Sequence, residues 1–209
     1  MKALIYKDLL AVWKYCRNFL FLCAVFLASA VFVEDYGFLQ TYPVIFMGML
    51  VNTLIAYDER DKWDRQVLTM PVTRREYVSA KYLVGLVLQG TVLALTAGAC
   101  ALRLMRGDGF TWDAFWMDMS AIALLAYIAP SLILPFIFKN GSEKGRMAYL
   151  IILGCLMGLA VGLSYILGRL NLMQAQIELA GGPLLAVLVV LLYLGSWALS
   201  VHWYEKREF

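Results

Sequence analysis

The chain has 209 residues, of which 62% are hydrophobic and 16% are charged, and its formal net charge is +3. Soluble domains are nearer to half apolar, so this composition excludes an ordinary soluble domain and indicates a membrane protein. The only histidine, His202, and four cysteines without CxxC spacing give no pattern for a metal or redox site, and none is expected.

Six stretches contain no Asp, Glu, Lys or Arg, and each is a predicted membrane span. They cover residues 18–33, 36–57, 82–102, 119–138, 147–168 and 179–204. A helix needs roughly 20 residues to cross hydrocarbon, so five stretches are long enough. The first is short, but preceding basic side chains can snorkel to the headgroups. We therefore expect an all-α polytopic protein with six transmembrane helices in a single domain, 1–209.

The basic residues predict the orientation. With the six spans threaded in order, fifteen of the eighteen Lys and Arg residues fall on one side. Basic residues accumulate on the cytoplasmic side of membrane proteins. Both termini and the segment 58–81 are therefore predicted to be cytoplasmic, in a multi-pass protein of the cell membrane. No charged residue falls within the six stretches, which argues against an ion path through the membrane.

Residues 2–18 have an apolar face and a basic face at helical spacing. This pattern predicts an amphipathic helix (1–18) that lies on the membrane surface and bends near Asn18 before the first span. The alternative is a plain cytoplasmic extension of that span. Arg74 and Arg75, which precede the third predicted span, are also expected to contact headgroups. The predicted membrane-surface anchors are Lys7, Trp13, Lys14, Arg17, Arg74 and Arg75.

The segment 58–81 carries eleven charges in 24 residues and is the one large polar segment of the chain. We expect the second helix to continue to about Leu68 and no further, because Pro71, three residues later, cannot continue a helix. The sequence from Thr73 to Glu76 matches the S/T-x-x-E capping box, so a new helix should begin there. A helix, a sharp elbow and a second helix are therefore predicted, and not a flexible tether.

Gly154, Gly158 and Gly162 form a doubled GxxxG pattern in the fifth predicted span. Such stripes allow two helix backbones to approach closely inside a membrane. We favour a packing partner within the same chain. A partner helix in another chain is the alternative.

Motifs for catalysis are absent from the sequence. It contains no GxxxxGK[ST] phosphate loop, no HExxH and no GxSxG. We therefore expect a protein that is not an enzyme and that carries no cofactor. ATP and Mg²⁺ would bind to a partner if the function requires energy.

Three elements together resemble the small ABC-type exporter permeases. They are the MKxxxxKD start, the acidic and basic stretch around Glu59, and the block LTMPVTRREYVSAKYL at 68–83. The resemblance includes the permeases of phenol-soluble modulin exporters and of bacitracin or lantibiotic self-protection systems. It covers the whole chain in layout and specific residues across roughly 59–83.

This resemblance implies a permease that works with separate ATPase subunits. Two copies of an ATP-binding subunit would carry two permeases, identical or related, in the lipid bilayer, and no nucleic acid would be involved. A coupling helix at 59–70 would enter a groove on each ATPase. The implied docking residues are Glu59, Arg60, Trp63, Asp64, Arg65, Leu68, Met70 and Pro71. The cargo would be hydrophobic or amphipathic (a peptide, toxin or antimicrobial). The residues expected along its path are Asn52, Thr53, Gln89 and Ser131.

A different class of protein has a similar length and span number. The substrate-binding membrane component of an energy-coupling-factor vitamin importer also has about six spans. The long capped segment after the second span favours the exporter interpretation.

Overall fold

A computed structural model describes residues 2–33, 37–67, 69, 71–106, 112–169 and 177–206. Within these ranges the chain forms α-helices and no strand, in agreement with the predicted all-α class. The helices are α1 (Lys2–Ala30), α2 (Gly37–Arg60), α3 (Trp63–Val67), α4 (Arg74–Arg106), α5 (Trp112–Asn140), α6 (Ser142–Arg169) and α7 (Ile177–Glu205).

Helix α1 is continuous through Asn18, so the predicted bend and separate surface helix are wrong. Its 29 residues extend for about 43 Å, longer than the hydrocarbon core. Buried residues recur along one face for the whole length of the helix, and this face packs against α2 and α4. The buried face of α1 comprises Leu4, Asp8, Val12, Cys16, Cys23, Leu27 and Ala30. Because this face continues past Asn18, the helix gains packing by remaining continuous.

Helix α2 ends at Arg60, earlier than the predicted end near Leu68. Lys62 has a φ of 52°, a left-handed conformation that interrupts the helix before α3 begins. The second half of the elbow agrees with the prediction. The backbone N of Thr73 donates to Glu76 Oε2 at 2.9 Å, and the backbone N of Glu76 donates to Thr73 Oγ1 at 3.2 Å. This is the capping box, and α4 begins immediately after it.

Five helices in the described ranges are long and apolar enough to cross a membrane. They are Lys2–Ala30, Gly37–Arg60, Arg74–Arg106, Asp118–Asn140 and Val187–Glu205. The remaining predicted span, 147–168, falls within α6. The protein is therefore a multi-pass membrane protein, while the count of six spans and the orientation of the termini stay predictions.

Helix α4 packs against α1, α2, α5 and α7. Val78, Val84 and Val92 of α4 are completely buried in this core. At the elbow end, α5 and α6 meet at Gly141, whose φ of 89° is readily adopted only by glycine. The start of α6 therefore lies at the same end of the bundle as the elbow.

Candidate functional site

The candidate site is the elbow (residues 58–81) together with the helix ends that hold it. Glu59, a predicted docking residue, is half-buried. Its Oε2 accepts a 2.8 Å hydrogen bond from the backbone N of Ser142. A carboxylate at the first turn of a helix meets unpaired N–H groups and the positive end of the helix dipole. The structure therefore connects Glu59 to the start of α6.

Trp63, another predicted docking residue, is half-buried and packs against the hydrophobic core. The ammonium of Lys7 lies 4.7 Å from the centroid of its ring, a cation–π contact. Within the described residues its buried indole Nε1 has no hydrogen-bond partner. The indole thus contacts α1, and α3 is joined to the bundle through it.

Other elbow side chains face outward. Arg60 is exposed, forms a 3.3 Å ion pair with Asp61, and lies 5.1 Å from the ring centroid of Tyr57. We call the exposed side chains described between residues 60 and 71 the exposed elbow face, and it comprises Arg60, Asp61, Lys62, Gln66, Thr69 and Pro71. The predictions for Leu68 and Met70, and for the side chains of Asp64 and Arg65, lie outside the described residues.

The end of α2 and the start of α4 are the two legs of the elbow. Four charged side chains form a ring where α1 crosses these two legs. We call Lys7, Asp8, Asp58 and Lys81 the charge ring. Lys7 Nζ lies 2.7 Å from Asp58 Oδ1 and 3.2 Å from Asp8 Oδ1. Lys81 Nζ lies 2.8 Å from Asp8 Oδ2 and 2.6 Å from Asp58 Oδ2. Each ammonium therefore contacts both carboxylates, and the four formal charges sum to zero.

The charge ring is deeply enclosed. The side chains of Asp8 and Lys81 are only 2% and 1% exposed. The hydroxyl of Tyr77 adds a 3.0 Å hydrogen bond to Asp58 Oδ2. Charges removed from water require such close partners, because an unpaired buried ion loses several kcal/mol of hydration. The ring therefore fixes the positions of α1, α2 and α4 relative to one another.

No local sequence pattern predicts this ring, although the sequence contains two signals for it. Lys7 and Asp8 close the MKxxxxKD start, and Lys81 belongs to the block at 68–83. In addition, Asp8 lies four residues after Leu4 and four before Val12, on the face that packs inward. An acid at an apolar-face position indicates a buried partner of opposite charge.

The start of α4 is also bound to the end of α7. Arg74 Nη1 donates to the carbonyl of Glu205 at 2.7 Å, in the last turn of α7. The guanidinium of Arg75 lies 5.1 Å from the ring centroid of Trp197. The hydroxyl of Tyr82 lies 2.7 Å from Ser196 Oγ and from Ser200 Oγ. Arg74 and Arg75, predicted as headgroup anchors, therefore contact α7.

The anchors predicted on α1 occupy two different places. Trp13, Lys14 and Arg17 are exposed on the face of α1 that does not pack against the bundle. Their role at the membrane surface stays a prediction. Lys7 lies in the charge ring and is directed towards α2.

The residues predicted to line a cargo path lie in the interior of the chain. Asn52, Gln89 and Ser131 are buried, and Thr53 is half-buried. Thr53 and Ser131 donate to carbonyls one turn earlier in their own helices, at 3.0 and 2.6 Å. In contrast, Asn52 Oδ1 and Gln89 Oε1 have no hydrogen-bond partner in the described part of the chain. These two oxygens are acceptors inside an apolar bundle.

Helices α1 and α4 are joined at the opposite end of the bundle as well. Arg103 Nη1 donates to the carbonyl oxygens of Ala30 and Val33 at 3.0 and 2.6 Å. Arg106 Nη1 donates to the carbonyl of Val31 at 3.0 Å. The two arginines therefore satisfy carbonyls that the end of α1 leaves without helical partners.

The glycine stripe of α6 is open. A Cβ added at Gly154, Gly158 or Gly162 would meet no atom of the described residues within 4 Å. As far as these residues extend, the expected packing partner within the chain is not present. The alternative of a partner in another chain remains.

Across the described residues, no group of three His, Cys, Asp or Glu side chains could hold a metal ion.

Comparison with known proteins gives one match. A family model described as ABC-2 family transporter protein matches residues 3–205, nearly the whole chain. No curated protein and no solved structure matches the chain significantly.

Proposed function

Because the chain belongs to the ABC-2 transporter family, we propose that it is the permease subunit of an ATP-driven exporter of hydrophobic or amphipathic cargo. The family match across residues 3–205 is the observation that carries this proposal. An ABC-2 permease works with an ATP-binding ABC subunit. ATP and Mg²⁺ would bind to that subunit, and this chain would have no catalytic activity of its own.

The proposed contact with the ATPase is the exposed elbow face. The exposure of its side chains supports this proposal. Arg60, Lys62 and Gln66 are exposed, whereas Glu59 and Trp63 are used in contacts within the chain. The face carries charges of both signs, which suits a polar interface with a soluble partner. Glu59 and Trp63 then support docking indirectly, by holding α3 in place.

Coupling would proceed by movement of rigid elements. The elbow is bound to α1 and α4 by the charge ring, to α6 by Glu59 and to α7 by Arg74. A displacement of the elbow by the ATPase would therefore reach several membrane helices at once. In this arrangement both termini and the elbow lie in the cytoplasm, and the protein lies in the cell membrane.

The proposed cargo follows from the character of the interior. The predicted spans contain no charged residues, which suits apolar or amphipathic molecules better than ions. Asn52 and Gln89 offer unpaired acceptor oxygens to such cargo. The outward direction of transport is taken from the resemblance to exporter permeases.

We propose that two permeases, identical or related, stand on two ATPase subunits. A permease pair places two elbows on one side of the membrane, one for each ATPase. The open face of α6 with Gly154 and Gly158 is a candidate contact between them, because glycines there leave room for a second backbone.

Co-purification with the ATP-binding subunit tests the proposal. We expect Arg60→Glu combined with Lys62→Glu to lower recovery of the complex about tenfold, because reversed charges at an interface strongly disfavour association. Glu143→Gln combined with Lys144→Gln is a control for changes to exposed charges outside the elbow. These two exposed charges lie near the elbow at the start of α6. Unchanged recovery in the elbow variant would remove the docking assignment. A vitamin held tightly by the isolated chain would contradict the exporter function itself.

A further inference from the structure

Helix α1 has no covalent connection to the elbow except through α2, yet it contacts both legs of the elbow. Lys7 of α1 binds Asp58 in the last turn of α2 at 2.7 Å. Lys81 in the second turn of α4 binds Asp8 of α1 at 2.8 Å. The charge ring thus closes across the base of the elbow, with two members on α1 and one on each leg.

We propose that the charge ring is a latch that makes α1 move together with the elbow, so that α1 carries the displacement produced by the ATPase into the membrane. This inference rests on the proposed function. Lys7, Asp8, Asp58 and Lys81 are positioning residues in it, since they contact neither cargo nor ATP.

The chemistry of the ring suits a latch better than apolar packing does. Apolar neighbours on the same face, such as Leu4 and Val12, can slide past other apolar side chains while remaining out of water. Moving α1 breaks two ion pairs between helices at once, Lys7 with Asp58 and Asp8 with Lys81, and leaves each buried charge with one partner instead of two. Displacement of α1 is therefore resisted until the ring breaks as a whole.

The ring also contacts the short helix at the tip of the elbow. Lys7 lies 4.7 Å from the ring centroid of Trp63 and 2.7 Å from Asp58. A shift of α3 therefore acts on a member of the ring directly. At the opposite end, the hydrogen bonds from Arg103 to Ala30 and Val33 hold α1 against α4. With both ends fixed, α1 and α4 can move as one body.

The first experiment releases α1 while keeping the remaining charges balanced. Lys7→Gln with Asp8→Asn removes both α1 charges and leaves the Asp58–Lys81 pair, which Tyr77 still supports. In inside-out vesicles with the ATPase, we expect intact assembly and near-normal ATP hydrolysis. Transport of a fluorescent amphipathic helical peptide per ATP should fall about tenfold, within the range of coupling energies.

Two matched variants accompany that measurement. Glu143→Gln with Lys144→Gln removes an adjacent acid and base that are exposed on α6 and should leave transport per ATP unchanged. Lys7→Arg with Asp8→Glu keeps both charges and should retain most of the coupling. Transport per ATP equal to that of the wild type in the Lys7→Gln, Asp8→Asn variant would overturn the proposal.

The second experiment leaves the ring intact, so it is decisive even if the neutralised variant does not fold. Spin labels at Tyr6→Cys on α1 and Leu83→Cys on α4, both exposed, are placed in a chain whose four cysteines are replaced by alanine. The distance between labels should be the same in nucleotide-free and ATP-bound complexes. A change of about 5 Å on ATP binding, the rise of one helical turn, would overturn the latch. Failure of the proposed function would be recognised separately, because the ATPase would then not co-purify.

Discussion

The carboxylate of Glu59 accepts a 2.8 Å hydrogen bond from the backbone N of Ser142 and so connects the last turn of α2 to the first turn of α6. Gly141, with its φ of 89°, allows the chain to reverse between α5 and α6. The first N–H groups of α6 consequently face α2, where an acid can pair with them. Glu59 is thus a capping residue supplied by another helix.

Glu59→Ala should loosen the start of α6. Loss of a capping oxygen costs about 1 kcal/mol, and the helix dipole adds a similar preference for a negative charge there. We expect a lower unfolding temperature in detergent and faster amide hydrogen exchange in the first turn of α6. Glu143→Gln, in the same turn but exposed, removes a solvated charge and no described capping hydrogen bond, so its effect should be clearly smaller. Loss of ATPase binding without any change in exchange would instead assign Glu59 to docking.

Lys81→Met should destabilise the protein strongly. The substitution leaves two buried carboxylates with one ammonium, and breaking a buried ion pair costs about 3–5 kcal/mol. Adding Asp8→Asn should restore part of the lost stability, because the remaining Lys7 and Asp58 are again balanced at 2.7 Å. Thermal unfolding of the two variants measures this difference. A double variant less stable than Lys81→Met would contradict the charge-balance explanation.

The sequence predicted what depends on local chemistry. The charge-free stretches predict the long helices, and the capping box at Thr73 predicts the start of α4. The sequence does not predict the contacts between segments that are far apart along the chain. The path of α1 past Asn18 depends on packing against α2 and α4, which no pattern within residues 2–18 contains.

The same distinction applies to the candidate site. Glu59 and Trp63 are predicted docking residues, and no local pattern predicts their contacts within the chain, because their partners, Ser142 and Lys7, are distant in sequence. The charge ring joins α1 to residues 51 and 73 positions later. Sequence spacing cannot predict such a pairing, although an acid on the apolar face of α1 signals that a partner exists.

Thr73→Ala should weaken the elbow at the start of α4. Thr73 and Glu76 exchange hydrogen bonds of 2.9 and 3.2 Å, and the loss of such a cap costs about 1 kcal/mol. We expect faster hydrogen exchange in the first turn of α4, while Thr73→Ser should preserve protection. Equal protection in the alanine and serine variants would show that packing alone holds this turn.

Gly158→Val tests whether the open face of α6 meets a second permease. A Cβ at this position would meet no described atom of another helix of the same chain within 4 Å, and valine has a higher helix propensity than glycine, so the fold of the single chain should tolerate the change. At a contact between two chains, the added side chain would force the helix backbones apart. We therefore expect a smaller dimer fraction in detergent or nanodiscs, measured by cross-linking or mass photometry. Gly195→Val on α7 is the matched control, because its position is also exposed and open and the change in helix propensity is the same. An unchanged dimer fraction for Gly158→Val would place the contact elsewhere and leave this face of α6 to lipid.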